Sequence, residues 1–185
     1  MDAQILLYIN SFSSPELDQV MLVITALGNV STVLIVSFAI ATVLYRMQRW
    51  KPLAFVALSV IGTLVMNSCM KLLFMRERPE LWDLLTHEST YSFPSGHAAM
   101  SCALALTVIV LAWNSRWRWP VVGIGIIYVV FVSFSRLYLG VHYPSDILAG
   151  WIVASLWVFV AFKLAQAIPI KRRSRDIKID HVLKK

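Results

Sequence analysis

The sequence predicts an all-α fold, a polytopic membrane helical bundle with five to six transmembrane helices. Three observations carry that reading. Of the 185 residues, 58% are hydrophobic and only 15% charged, with a mean hydropathy of +0.70; a soluble domain sits nearer half apolar and a quarter charged. Several stretches match the roughly 17–25 apolar residues that a helix needs to cross a bilayer. The Lys and Arg residues gather at the ends of these stretches instead of covering a surface. This balance argues against an ordinary cytosolic globule, a disordered regulator and a secreted disulfide scaffold. The length suits a single membrane-embedded domain over residues 1–185, with residues 164–185 as a basic tail.

Ala3–Phe12 is apolar but too short to span, and fits a segment lying in the interface. Paired with Leu17–Leu27 as a packed element, it brings the helix count to six. Val20–Tyr45 has no ionisable side chain except Tyr45 and makes the first span. Gly28-Asn29 at its middle marks a kink or a break into two helices. Pro52–Met70 is uncharged and makes the second. His97–Asn114, Trp119–Ser135 and Ile147–Phe162 follow, the last somewhat short unless Lys163 snorkels. Short loops join them, apart from a longer segment from about Arg76 to Phe93. Cys69 and Cys102 lie in apolar runs without CxxC spacing and read as buried hydrophobes.

Arg46 is the first cation of the chain, so no basic region precedes an apolar run and no secretory signal peptide is expected. Most of the 17 Lys and Arg residues fall on one side: Arg46, Arg49 and Lys51 at one turn, Arg116 and Arg118 at another, and the tail from Lys163 onward. By the positive-inside rule that side is cytoplasmic. Trp113, Trp117 and Trp119 fit an aromatic belt there. The tail sequence KRRSRDIK reads as a topology signal attracted to anionic lipid, not as a nucleic-acid site. The bilayer is the expected partner, with no nucleic acid and no obligatory protein. The other face keeps only Lys71, Arg76, Arg78 and Arg136, and cations surviving on the disfavoured face need a reason.

On that outer face the polar residues form three clusters, each at the end of a span. The first is KLLFMRERP, from Lys71 to Pro79. Arg78 lies two helical turns beyond Lys71 if the helix continues, so both fit one side; Pro79 disfavours helix at Arg78 and marks the exit. Snorkelling at a helix end accounts for these cations equally well when they are taken alone. The second is YSFPSGH, from Tyr91 to His97. Ser95 is a natural N-cap, Gly96 lets the backbone approach a ligand, and the N–H groups behind them form an anion site beside His97. Plain capping explains the same residues in isolation. The third is SRLYLGVHYPSD, from Ser135 to Asp146. Arg136 ends the fourth span and Pro144 suits the first turn of the fifth. Asp146 in that turn reaches His142, fixing one tautomer and leaving the other ring nitrogen free as a nucleophile. An Asp stabilising a helix start explains Asp146 but leaves Arg136 and His142 unexplained.

The conjunction decides between these readings. Three helix ends on one face together supply the cations Lys71, Arg78 and Arg136, an anion-accepting helix start, two histidines and a carboxylate. A single cation at the centre of a span costs about 2.5–3.5 kcal/mol on insertion scales. Near the interface the cost is lower, yet clustered cations still repel one another without an anion. A phosphate supplies that anion through charge-assisted bonds to Arg and Lys.

Lys71…Arg78-Pro79, Pro94-Ser95-Gly96-His97 and Ser135-Arg136…His142…Asp146 together resemble the three-part signature of the type 2 phosphatidic acid phosphatase family. Bacterial acid phosphatases and vanadium haloperoxidases share that superfamily. Every signature position carries the expected residue type and spacing, over about Lys71 to Asp146 by motif and most of the chain by span arrangement. Three spaced motifs in order are specific, where a lone PSGH is weak. The resemblance implies a metal-independent lipid phosphatase. It makes His142 the nucleophile that forms a phosphohistidine and Asp146 its orienting partner. His97 becomes the acid that protonates the leaving oxygen and later activates water. Lys71, Arg78, Arg136, Ser95 and the Gly96 N–H would cradle the phosphoryl oxygens. A neutral His142 and a protonated His97 imply a bell-shaped pH profile. Asp146 is the only acid in the motif sets, with Glu77 between Lys71 and Arg78, so neither metal nor other cofactor is called for.

The expected substrate offers its phosphate at the outer leaflet while its tail stays in lipid, approached sideways between helices. Undecaprenyl pyrophosphate is favoured, with phosphatidylglycerol phosphate or phosphatidic acid close behind. Two alternatives stand beside hydrolysis: a lipid phosphotransferase, which would need water excluded, and a non-catalytic phosphate-lipid binding or transport protein. Binding alone needs no nucleophile, so His97, His142 and Asp146 argue against the latter. Haloperoxidase chemistry does not suit a chain so committed to the membrane. The loop Glu80–Phe93, with His87, is the candidate for head-group selection or a lid, a simple connector being the plain alternative. The expected location is the bacterial inner membrane, with the site on the periplasmic, extracytoplasmic side and the C-terminus in the cytoplasm.

Overall fold

The computed structural model describes residues 2–86 and 88–169. These form seven helices: α1 (Asp2–Asn10), α2 (Pro15–Leu27), α3 (Val30–Arg46), α4 (Trp50–Phe74), α5 (Gly96–Ala112), α6 (Arg118–Tyr138) and α7 (Pro144–Ala167). By length and hydropathy α4, α6 and α7 can each cross a membrane, and α2 with α3 makes a fourth candidate bent by 44°. The bend falls at Gly28-Asn29, where the sequence places it. Ser14 caps α2 by accepting from Leu17 N at 3.3 Å, with Pro15 in the first turn.

α5 is the centre of the bundle. It is apolar all round, as a helix surrounded by others must be, and every residue from Ala98 to Ala105 is buried. α3, α4, α6 and α7 pack against it. At 17 residues it is about 25 Å long at 1.5 Å per residue. Its Ala99 and Ala103 meet Ala154, Val158, Ala161 and Ala165 of α7, with Phe55 of α4 closing the cluster. Small side chains let helices approach where lipid supplies no hydrophobic drive for association. The approach is closest at Gly150 of α7: a Cβ there would stand 2.8 Å from the Ser95 carbonyl oxygen and 3.2 Å from Ala99 N. That contact presses the start of α5 onto the start of α7. Large apolar side chains such as Phe38, Ile124, Leu156 and Phe159 point outward, as a bilayer-facing surface requires.

Three expectations need correction. α4 ends at Phe74, so Lys71 and Arg78 do not share one continuous helix face. Met75 adopts the left-handed conformation at φ 43° while its N–H still bonds the Lys71 carbonyl, and Pro79 keeps Arg78 out of helical geometry. α7 continues to Ala167, so residues 164–167 belong to the helix and not to the tail, and the last span is no longer short. Cys69 is exposed on the outer surface of α4, whereas Cys102 is buried. His87 and the basic residues from Lys171 to Lys185 lie outside the described residues. α1 is a helix, as its apolar run implies, and packs against α6 and α7. At the far end, Arg116 and Arg118 lie over Trp117 and Trp119, each 5.4 Å from the ring centroid.

Candidate active site

The end of α4, the start of α5, the end of α6 and the start of α7 meet at one end of the bundle, and the three polar clusters meet with them. Gly140 makes the sharp exit from α6 possible. Its φ of +71° is one that L residues rarely adopt, and the Trp82 ring lies where a Cβ would sit. The turn delivers His142 just ahead of α7. His142 and Asp146 are 1% and 0% exposed.

His142 Nδ1 lies 3.4 Å from Asp146 Oδ2, and Arg78 Nη1 lies 3.2 Å from His142 Nε2. A guanidinium only donates, so Nε2 is the accepting nitrogen and the ring proton sits on Nδ1, facing the carboxylate. Burial pushes the His142 pKa down to about 4; the Asp146 hydrogen bond works the other way, and Arg136 and Arg78 lower it further. At neutral pH the imidazole is therefore uncharged, with its Nε2 lone pair directed at a cation.

Asp146 is held from every side. Tyr143 N donates to Oδ2 at 2.9 Å within a capping box at the start of α7, and Ser92 Oγ donates to the same oxygen at 2.5 Å. Arg76 Nη1 donates to Oδ1 at 2.6 Å, and the Arg76 guanidinium lies 4.1 Å from the centroid of the Tyr143 ring. The main-chain carbonyl of Asp146 accepts from Ser95 N at 3.0 Å, tying the cap of α5 to the first turn of α7. α1 joins here as well, since Asp2 accepts from Ser145 Oγ at 2.5 Å and lies 3.4 Å from Arg76 Nη2.

Lys71 and Arg78 meet on the loop between α4 and α5. Lys71 Nζ donates to Thr90 Oγ1 at 2.9 Å and to the Tyr91 carbonyl at 2.5 Å. Arg78 Nε donates to the Thr90 carbonyl at 2.8 Å, and Nη1 to the Val141 carbonyl at 2.7 Å. Arg136 is 1% exposed; its Nη1 donates to Thr25 Oγ1 at 2.8 Å and its Nη2 to Glu88 Oε1. The second Glu88 oxygen stands 4.0 Å from Arg78 Nη2. Burial works to raise the Glu88 pKa, but Arg136, with help from His97 and Arg78, holds it below the usual carboxylate range. A cavity of about 860 Å³ opens over Lys71, Arg78, Glu88 and Thr90, while Arg136, His97 and His142 do not line it.

Lys71, Arg78, His142 and Asp146 thus share one hydrogen-bonded path, and Arg136 enters it through Glu88. Ser95 caps α5, accepting from Ala98 N at 3.4 Å, and Gly96 opens the helix. His97 shares no hydrogen bond with the other sequence-derived site residues. Its Nε2 donates instead to Asn29 Oδ1 at 2.6 Å, at the bend between α2 and α3. Five residues of this network escape sequence reasoning: Thr25, Asn29, Arg76, Glu88 and Ser92. Arg76 carried a signal as a cation on the disfavoured face, and Asn29 as the polar residue at a predicted break. Thr25, Glu88 and Ser92 carried none that singles them out.

A family model described as the PAP2 superfamily matches residues 49–169, which contain all three clusters. Among relatives, an undecaprenyl-diphosphatase of Sulfolobus acidocaldarius is 39% identical over 88 residues, 48% of this chain and 40% of that protein's length. The undecaprenyl-diphosphatase BcrC of Bacillus subtilis is 31% identical over 163 residues, covering 85% of this chain and 80% of its own. Among solved structures, a transmembrane PAP2-type phosphatidylglycerolphosphate phosphatase from Bacillus subtilis superimposes with a TM-score of 0.79 at 30% identity, covering 92% of this chain and 87% of its own. Sequence, fold and the buried histidine–carboxylate pair beneath a cation cluster agree: this chain belongs to the PAP2 superfamily of metal-independent membrane lipid phosphatases.

Proposed function

We propose that the chain hydrolyses a lipid pyrophosphate or phosphate, undecaprenyl pyrophosphate first and phosphatidylglycerol phosphate or phosphatidic acid next, through a phosphohistidine on His142. The observation that carries this reading is the His142 tautomer. Nδ1–H faces Asp146, which leaves the Nε2 lone pair facing Arg78. A binding site for phosphate needs cations; it has no use for a buried neutral imidazole oriented by a carboxylate. The order of substrates rests on the two undecaprenyl-diphosphatase relatives, with the phosphatidylglycerolphosphate phosphatase fold behind them.

In the first step Nε2 attacks the terminal phosphorus, forming the N–P bond as the P–O bond to the leaving group breaks, which is the lipid phosphate of a pyrophosphate or the lipid alcohol of a monophosphate. His97 gives its proton to the departing oxygen. Lys71, Arg78, Arg136, Ser95 Oγ and the Gly96 N–H hold the three phosphoryl oxygens as charge shifts among them. Arg78 must turn from His142 Nε2 to the phosphate for this, which exposes the nucleophile only when an anion is present. Water then attacks phosphorus, His97 takes its proton, the N–P bond breaks and orthophosphate leaves. Asp146 stabilises the imidazolium character that His142 acquires between the two steps.

Five spans suit the helices: α2 and α3 as one broken span, then α4, α5, α6 and α7, with α1 in the interface. Arg46, Arg49, Lys51, Arg116 and Arg118 cluster at the end opposite the site. By the positive-inside rule this clustering supports chemistry on the extracytoplasmic side of a bacterial inner membrane, with the C-terminal end of α7 toward the cytoplasm. The experiment gives purified protein in detergent a panel of lipid phosphates and pyrophosphates, with His142→Ala as control. Phosphate release should vanish in the variant, and an acid-labile, alkali-stable phosphoenzyme should be trapped from the wild type. Release at the wild-type rate from His142→Ala refutes the mechanism.

A further inference from the structure

The Arg136 guanidinium is the most deeply buried cation of the site, and its bonding is incomplete. Nη1 is satisfied by Thr25 Oγ1 at 2.8 Å and Nη2 by the Glu88 carboxylate, yet Nε is buried without a partner among the described residues. Nε–H and one Nη2–H lie along the same edge of the planar group, the edge that grips an oxyanion with two parallel bonds. Glu88 fills half of that fork and leaves the other half empty. Its second oxygen reaches instead toward Arg78, at 4.0 Å.

The rest of the segment behaves in the same way. Thr90 Oγ1, the Thr90 carbonyl and the Tyr91 carbonyl accept the donors of Lys71 and Arg78. The loop between α4 and α5 thus offers oxygens to the cations proposed to bind phosphate, with the Glu88 carboxylate placed on the deepest of them. His142 and Arg136, both 1% exposed, lie out of reach of the cavity that opens beside Glu88. The group that stands on Nε2 is Arg78 Nη1, at 3.2 Å, and Glu88 faces both Arg78 and Arg136.

We infer that Glu88 is a resident counter-ion standing in for the phosphoryl group, which a substrate must displace from Arg136 to complete the guanidinium fork. The inference rests on the proposed phosphatase reading of the site. Its consequence is selection by charge. A group bearing two negative charges and three free oxygens can complete the Arg136 fork and engage Lys71 and Arg78 together. A phosphodiester, with one charge and two free oxygens, exchanges one carboxylate for a poorer one. The bilayer's abundant diester lipids would then be excluded without a steric barrier, and product orthophosphate would be expelled by the returning carboxylate.

Orthophosphate is the probe, and calorimetric titration of the full-length protein in detergent reads its binding without turnover. Glu88→Gln and Glu88→Ala should bind orthophosphate about tenfold to a hundredfold more tightly than wild type, the range a charge-assisted hydrogen bond spans. A lipid phosphodiester should compete with orthophosphate only in the variants. A wild-type structure with orthophosphate bound should show Glu88 withdrawn from Arg136, a check that does not depend on either variant folding. Unchanged or weaker orthophosphate binding in both variants, or a bound phosphate with Glu88 still on Arg136, overturns the inference. The two failures are distinguishable: turnover in His142→Ala speaks against the phosphatase mechanism, whereas the titration speaks only to Glu88.

Discussion

Arg76 offers the sharpest test of how the site is held together, because no motif requires it. Its Nη1 lies 2.6 Å from Asp146 Oδ1, while Oδ2 serves His142, Ser92 and Tyr143 N. Arg76→Ala removes the only partner of Oδ1 among the described residues and frees the carboxylate to rotate. A hydrogen bond to a charged group contributes about 1.5–3 kcal/mol. The Arg76 side chain is 33% exposed, so solvent screens the pair and the lower end of that range applies. About 1.5 kcal/mol corresponds to a roughly tenfold fall in kcat/KM if the pair is needed in the transition state. The acid limb of the pH profile moves as well. Without the Arg76 charge, Asp146 acts undiluted on His142 and raises its pKa, so the rate is lost at a higher pH than in wild type. Arg76→Lys restores the charge but not the two-pronged donor or the stacking on Tyr143, and should recover part of the rate and most of the limb. The assay is steady-state phosphate release from a lipid pyrophosphate in detergent, across pH, with thermal melts to confirm folding. Wild-type kcat/KM and an unshifted acid limb in Arg76→Ala would refute the positioning role.

Other consequences follow from the same geometry. The attacking form of His142 is neutral and its pKa is lowered to about 4, so kcat/KM should persist below the ordinary histidine range of about 6.5 and fall only as pH drops through about 4; an acid limb at the ordinary value contradicts the buried, cation-flanked setting. Gly140→Ala places a Cβ on the Trp82 ring at φ +71°, costing about 1–3 kcal/mol for the strained backbone and displacing His142, so both melting temperature and turnover should drop. Asn29→Ala removes the acceptor at 2.6 Å from His97 Nε2 and should cost about fivefold to tenfold in kcat, the worth of one neutral hydrogen bond, with KM little changed. Chelation with EDTA should leave turnover intact, and loss of activity rescued by a divalent ion would count against the mechanism.

The helices were largely legible in the sequence because their information is local. Uncharged runs, the caps at Ser95 and Pro144, and the break at Gly28-Asn29 all act within a turn or two of themselves. The same locality explains the error at Lys71–Arg78. Periodicity puts both on one helix face only if the helix continues, but it ends at Phe74 and the two side chains meet through the loop oxygens of Thr90 and Tyr91. Glu88, Ser92 and Thr25 were invisible for that reason. Each acts across a long chain separation, Thr25 on Arg136 and Ser92 on Asp146, and nothing in their immediate neighbours records the partner. The motif residues were found early because membrane insertion penalises charge, so a cation or carboxylate at a helix end already demands an explanation. A serine or threonine there demands none.

Charge balance links the loop to the chemistry. Lys71, Arg76, Arg78 and Arg136 bring four positive charges to this end of the bundle, against Asp2, Glu88 and Asp146 as carboxylates paired with them, and His142 is neutral. Withdrawing Glu88 raises the positive excess around Arg136 and Arg78 by one, which favours entry of a phosphoryl dianion over a monoanion in surroundings where Arg136 and Asp146 are nearly inaccessible to solvent and an unbalanced charge is costly. The loop that carries Glu88 also carries the Thr90 and Tyr91 oxygens that accept from Lys71 and Arg78, so one displacement would free Lys71 and Arg136 together and leave Arg78 held by Val141 and His142 until an anion draws it away.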